Sequence, residues 1–177
     1  MSWWYRLVYA VTIAPRVARL QRLLPDASIH PCGSRAVCDP PVFGTDVDFL
    51  IYSEALIVEK LTKAKYEMVS LSVDYFQSPE KDWEKRTVWR KGVINLIVTQ
   101  SEKFRDRWNI STHICRKYNL RQKSHRILVY ETLRGNFNPE YWQPEYLPPP
   151  EVLNLLKNIN GPYGEAIYAA YRTQNNL

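Results

Sequence analysis

Two aspartates, Asp46 and Asp48, stand one residue apart, and the apolar run Phe49-Leu50-Ile51 follows them. Gly33 and Ser34 precede them across a Pro-rich loop. On a strand side chains alternate, so Asp46 and Asp48 point to one face while Val47 and Phe49 enter the core. Two neighbouring carboxylates repel, which costs stability unless a cation lies between them. Mg2+ (or Mn2+) suits such a pair, because it takes one or two protein carboxylates and completes its shell with water and substrate phosphates. Paired metals held this way activate an attacking oxygen and neutralise a leaving pyrophosphate. Gly33 lets backbone come close to a phosphate, and Ser34 adds a hydroxyl and an N–H donor. The plainer reading of the same residues is a turn followed by a strand.

These side chains need strands beneath them and helices around them. Residues 46–52 read as a buried strand, and 54–66 as a helix with Leu56, Ile57, Leu61 and Ala64 on one face. Residues 68–76 and 87–100 read as strands, the second carrying the β-branched run of a central strand. Ser101 starts a helix, a second covers about 124–133, and Gly135 caps it. Near the N-terminus, Trp3, Tyr5, Leu7, Tyr9, Val11 and Ile13 alternate as in a strand, while Leu7, Val8 and Val11 suit a helix. Pro15 suits a helix's first turn, with Val17, Leu20, Leu23 and Leu24 as its stripe and Pro25 as its end. Tyr141, Trp142 and Tyr146 lie in a Pro-rich aromatic stretch that reads as an arm packed on the body, followed by helices near 151–159 and 164–172. Strands mixed with helices imply an α+β fold, a small mixed β-sheet flanked by helices.

The pattern Gly33-Ser34, a spacer from Arg35 to Thr45, then Asp46-Val47-Asp48-Phe49 resembles the signature of the nucleotidyltransferase superfamily that includes DNA polymerase beta. The resemblance implies that Gly33 and Ser34 hold nucleotide phosphates and that Asp46 and Asp48 hold metal ions. Thr45, Arg35, Thr99, Lys123 and Arg126 join the expected nucleotide-binding set. The family uses a third carboxylate on a neighbouring strand; here that slot reads Ile94-Asn95-Leu96-Ile97. An amide is a weaker ligand and no base at neutral pH. Asn95 could ligate through its carbonyl, Asp74 could supply the missing charge, or the site could bind a nucleotide without transferring it. Small nucleotidyltransferase-like proteins of bacteriophages are similar more loosely, in the Asn-Leu-Ile strand and in a helix pair like 119–133. The resemblance covers about 24–133. It does not explain the N-terminal segment or the C-terminal arm; the chain itself reads as a domain at 1–135, with the signature in 31–99, and residues 136–177 packed on the same body.

Among 177 residues, 24 basic against 18 acidic side chains give a net charge of +6, which favours anionic partners. Arg90 and Lys91, like Arg35, Lys123 and Arg126, could grip phosphates. The basic residues are dispersed, so a solvated surface accounts for most of them. Three cysteines suit a reducing cytoplasm, that of a phage-infected bacterium if the looser resemblance holds. His30 with Cys32 and His113 with Cys115 are too tightly spaced for the common zinc motifs. No membrane span and no signal peptide is expected. The expected enzyme moves a nucleoside monophosphate from a nucleoside triphosphate (NTP) to an RNA end, a protein or a small molecule. The alternatives are a protein of the same fold that binds nucleotide, nucleic acid or a host protein without chemistry, and a plain scaffold. Oligomeric state is open.

Overall fold

Ser2 starts the first helix: its hydroxyl accepts the Tyr5 amide at 3.1 Å, the side-chain cap that serine favours. In this computed structural model, which describes residues 2–42, 46–69, 86–133, 147–159 and 173, the helix runs as α1 (Trp3–Val8), a π-helical turn (Tyr9–Ile13) and α2 (Ala14–Leu23). The ambiguous N-terminus is therefore helical. Pro15 has no N–H and its ring crowds the preceding turn, so the wider π turn comes just before it. Helical spacing then buries Tyr5, Val8, Ile13 and Leu20, while Trp3, Leu7 and Val11 stay exposed. After Pro25 the Gln21 amide donates to the carbonyls of Leu24, Pro25 and Ala27.

β1 (Ser28–Cys32) runs straight into the short helix α3 (Gly33–Val37). β2 (Val47–Tyr52), α4 (Val58–Lys63), β3 (Glu67–Val69), β4 (Arg86–Lys91) and β5 (Ile94–Thr99) follow. The sheet order is β1-β2-β5-β4-β3. β2 and β5 are parallel, and the other neighbours are antiparallel. This is an α+β fold with a five-stranded mixed sheet and several helices. Val47, Phe49, Ile51, Trp89, Leu96 and Val98 pack with Ile13, Leu20, Leu24, Ala36 and Leu61 into one core.

Two expectations need correction. The stretch expected as one strand over 87–100 is a hairpin, because Gly92, at φ +56, turns the chain between β4 and β5. The helix expected over 54–66 is only α4, and Leu56 is 81% exposed rather than part of its buried face. The Ser53 hydroxyl donates to the Ala55 carbonyl at 3.0 Å and Gln100 donates to the Glu54 carbonyl at 2.9 Å, which holds the residues after β2 in a loop.

The chain divides into two compact units, Met1–Arg105 and Asp106–Leu177. The boundary falls within α5 (Glu102–Lys117), which Ser101 caps as expected. The second unit also holds α6 (Lys123–Leu133) and α7 (Pro150–Ile159). Inside it Trp108 lies on Tyr130 with ring centres 4.4 Å apart, and the hydroxyls of Thr112 and Tyr130 are 2.7 Å apart. Thr45, Asp74, the Gly135 cap, the Tyr141, Trp142 and Tyr146 arm, most of the strand expected at 68–76 and the helix expected at 164–172 lie outside the described residues.

Phe49 and Leu96 are fully buried and face each other across β2 and β5. Phe49→Ala should cost about 3–5 kcal/mol and Leu96→Ala about 2–5 kcal/mol. Leu56→Ala, on the surface, should change stability by less than about 0.5 kcal/mol. Urea unfolding of the three variants checks the core assignment.

Candidate functional site

β1, β2, β5 and β4 place Cys32, Asp48, Asn95 and Arg90 in one cross-sheet row, which Glu67 of β3 ends. Alternation along each strand puts this row on the face opposite Phe49 and Leu96. Asp46, two residues before Asp48, joins the same face. Asn95 Nδ2 donates to Asp46 Oδ2 at 2.9 Å and to Asp48 Oδ1 at 3.1 Å. Asn95 Oδ1 accepts from Arg90 Nε at 2.9 Å. An Arg90 terminal nitrogen lies 3.5 Å from Asp46 Oδ2. The amide thus turns its nitrogen, not its oxygen, toward the carboxylates. Water reaches the group: the Arg90 and Asp46 side chains are 54% and 43% exposed.

Gly33 closes the other side of Asp48. Its φ is +71, and a Cβ built on it would lie 2.0 Å from Asp48 Oδ2. Only a residue without a side chain can bring the β1–α3 turn so close to the carboxylate. Ser34, next in the chain, is buried, and its carbonyl accepts the Cys38 amide at 3.1 Å. The N-terminal helix fixes this turn from outside. The Tyr5 hydroxyl donates to the Ala36 carbonyl at 2.6 Å, and the Ser2 amide donates to Asp39 at 2.6 Å. The sequence reading left the N-terminal segment without a role. Tyr5 was visible only as a member of the strand-like alternation, and its carbonyl partner was not visible at all.

The structure brings Asp46, Asp48, Asn95, Gly33 and Arg90 together. Arg90 stood only among general phosphate-gripping candidates, and its place in the row comes from the hairpin. Lys91, one residue on, faces the other way: it donates to the Ala64 carbonyl at 2.6 Å and lies over the Tyr66 ring. Arg35 follows Ser34 in α3 and is half-buried. Thr99 is not gathered with the carboxylates. It is buried at the far end of β5, four residues from Asn95 or about 13 Å along the strand, and its hydroxyl accepts the Ser101 amide. Lys123 and Arg126 belong to the second unit, where Arg126 donates to the carbonyls of Leu120 and Arg121 and shapes the corner before α6. Burial first, and the Arg126 charge second, lower the pKa of neighbouring His125, so its ring is neutral at pH 7.

Among the described residues no three His, Cys, Asp or Glu side chains gather as a metal cluster, and no helix is long and apolar enough to cross a membrane. The donor chemistry at Asp46 and Asp48 still fits a Mg2+ ion that takes two protein carboxylates and leaves the rest of its shell to water and phosphate.

Gly33 and Gly92 both have positive φ, but nothing lies within 4 Å of a Cβ built at Gly92. Gly92→Ala should therefore cost only the backbone term, about 1–2 kcal/mol. Gly33→Ala adds the collision with Asp48 and should cost about 2–5 kcal/mol. In an Asp48→Gly background the two alanine variants should become similar. Chemical denaturation of the wild type, the Asp48→Gly variant and the two alanine variants in each background measures the difference.

Comparison with known proteins finds no matching family model, no matching curated protein and no matching solved structure.

Proposed function

We propose that the protein is a nucleotidyltransferase that moves a nucleoside monophosphate from an NTP to an acceptor hydroxyl, releasing pyrophosphate. The observation that supports this reading best is the packing of the Gly33-Ser34 turn against Asp48, beside Asp46, on an open part of the sheet. Asp46 and Asp48 would hold Mg2+, which when bound supplies charge neutralisation for the triphosphate and for the leaving pyrophosphate. Asp48 fills the space over Gly33, so the phosphate donors of this turn would be the Ser34 N–H and Arg35, the next residues in the chain. The acceptor hydroxyl passes its proton to water, which reaches the site, and its oxygen attacks the α-phosphorus. The bond from that phosphorus to the bridging oxygen breaks, and its electron pair leaves with pyrophosphate. An RNA end, a protein hydroxyl and a small molecule all remain acceptor classes for the test.

One observation favours a second reading, a protein that binds nucleotide without transferring it. Asn95 satisfies both carboxylates with N–H donors and offers them no ligand oxygen.

The purified protein is incubated with each of the four α-labelled NTPs, with Mg2+ or Mn2+, and with cell RNA, cell protein or the small-molecule fraction of a cell extract. Label should move into one acceptor class with the wild type and drop at least about 100-fold in the Asp46→Ala/Asp48→Ala variant, the order of loss for a key electrostatic group. If no label moves while nucleotide still binds, the second reading replaces the first. If neither occurs, both fail.

A further inference from the structure

We infer that Arg90 is a built-in counter-ion of the carboxylate pair, acting through Asn95, and that the site therefore takes one divalent cation rather than two. The single-cation part rests on the function proposed above; the counter-ion part does not.

The register carries the argument. Asp48 lies opposite Asn95, and Asn95 lies opposite Arg90, so all three side chains rise from the same face of neighbouring strands. The bonds run in one direction. Arg90 Nε donates to the Asn95 carbonyl, and the Asn95 amide nitrogen donates to both carboxylates. Each dipole in that chain turns its positive end toward Asp46 and Asp48, and polarisation along it strengthens the outer bonds. A terminal nitrogen of the same guanidinium lies 3.5 Å from Asp46. The formal charge of Asp46, Asp48 and Arg90 together is −1. With aspartate at 95 and no arginine it would be −3, the charge that favours two divalent cations. Asn95 also cannot turn its oxygen to a cation at the carboxylates without giving up its bond from Arg90. Glu67, opposite Arg90 across β3 and β4, is the other charged side chain of the row, and it is exposed at the sheet edge.

Double-mutant stability tests the counter-ion in metal-free buffer. Arg90→Gln should lower Tm by about 1–4 °C, the range for a partly exposed ion pair in a chain of this size. The loss should vanish when Asp46→Asn and Asp48→Asn are already present. Glu67→Gln should show no such coupling to the aspartates. A loss that persists without the aspartates, or no loss at all, overturns the counter-ion. Mn2+ titration followed by electron paramagnetic resonance tests the stoichiometry. The wild type should take one ion per chain, Arg90→Gln should take it at least about tenfold more tightly, and Arg90→Gln/Asn95→Asp should take two. Two ions on the wild type, or none, overturn the single-cation site. Coupling and one Mn2+ without any label transfer would uphold this inference while the transferase reading fails.

Discussion

Asp48 lies opposite Asn95 because β2 and β5 run parallel in a single register, from Val47 against Ile94 to Tyr52 against Thr99. That pairing sets both faces of the sheet at once. Phe49, Ile51, Leu96 and Val98 enter the core, while Asp48, Asn95 and Arg90 stand on the other face. A slip of one residue would send Asp48 toward Leu96 and Phe49 toward water. The core thus enforces the geometry of the polar group, since several buried side chains would have to leave the interior before the carboxylates could move apart.

The Gly-Ser turn is held by the same economy of contacts. Gly33 leaves β1 with positive φ and fits against Asp48, which no larger residue could do. Tyr5 and Ser2 then tie α3 and the residues after it to the N-terminal helix. That helix in turn seats Ile13 and Leu20 in the core shared with Phe49. The turn is short, but it is braced by the sheet on one side and by a packed helix on the other.

The carboxylate pair sits where water enters, so its electrostatics are moderate rather than extreme. Asn95 and Arg90 answer the two negative charges with hydrogen bonds and a nearby cation. A neutral amide in this slot changes what the group can do: it relieves repulsion without adding a ligand or a base.

Local pattern in the chain determined a good deal. The alternation around Asp46 and Asp48, the β-branched run of β5, the Ser101 cap of α5 and the helix near 151–159 were legible because each is written over neighbouring residues. Glycine at position 33 was legible as a close backbone approach, but to a phosphate; its approach to the Asp48 side chain was not. Other features were decided by contacts distant in sequence. The N-terminal alternation suited a strand until burial of Tyr5, Val8 and Ile13 selected the helix. The β4–β5 turn was hidden in an apolar run that read as one strand, so Arg90 and Asn95 were not seen as neighbours. The slot occupied by Asn95 was visible in the sequence, but the direction of its amide was not. A side-chain amide orients by what surrounds it, and here those surroundings come from three strands that meet only when the sheet is assembled.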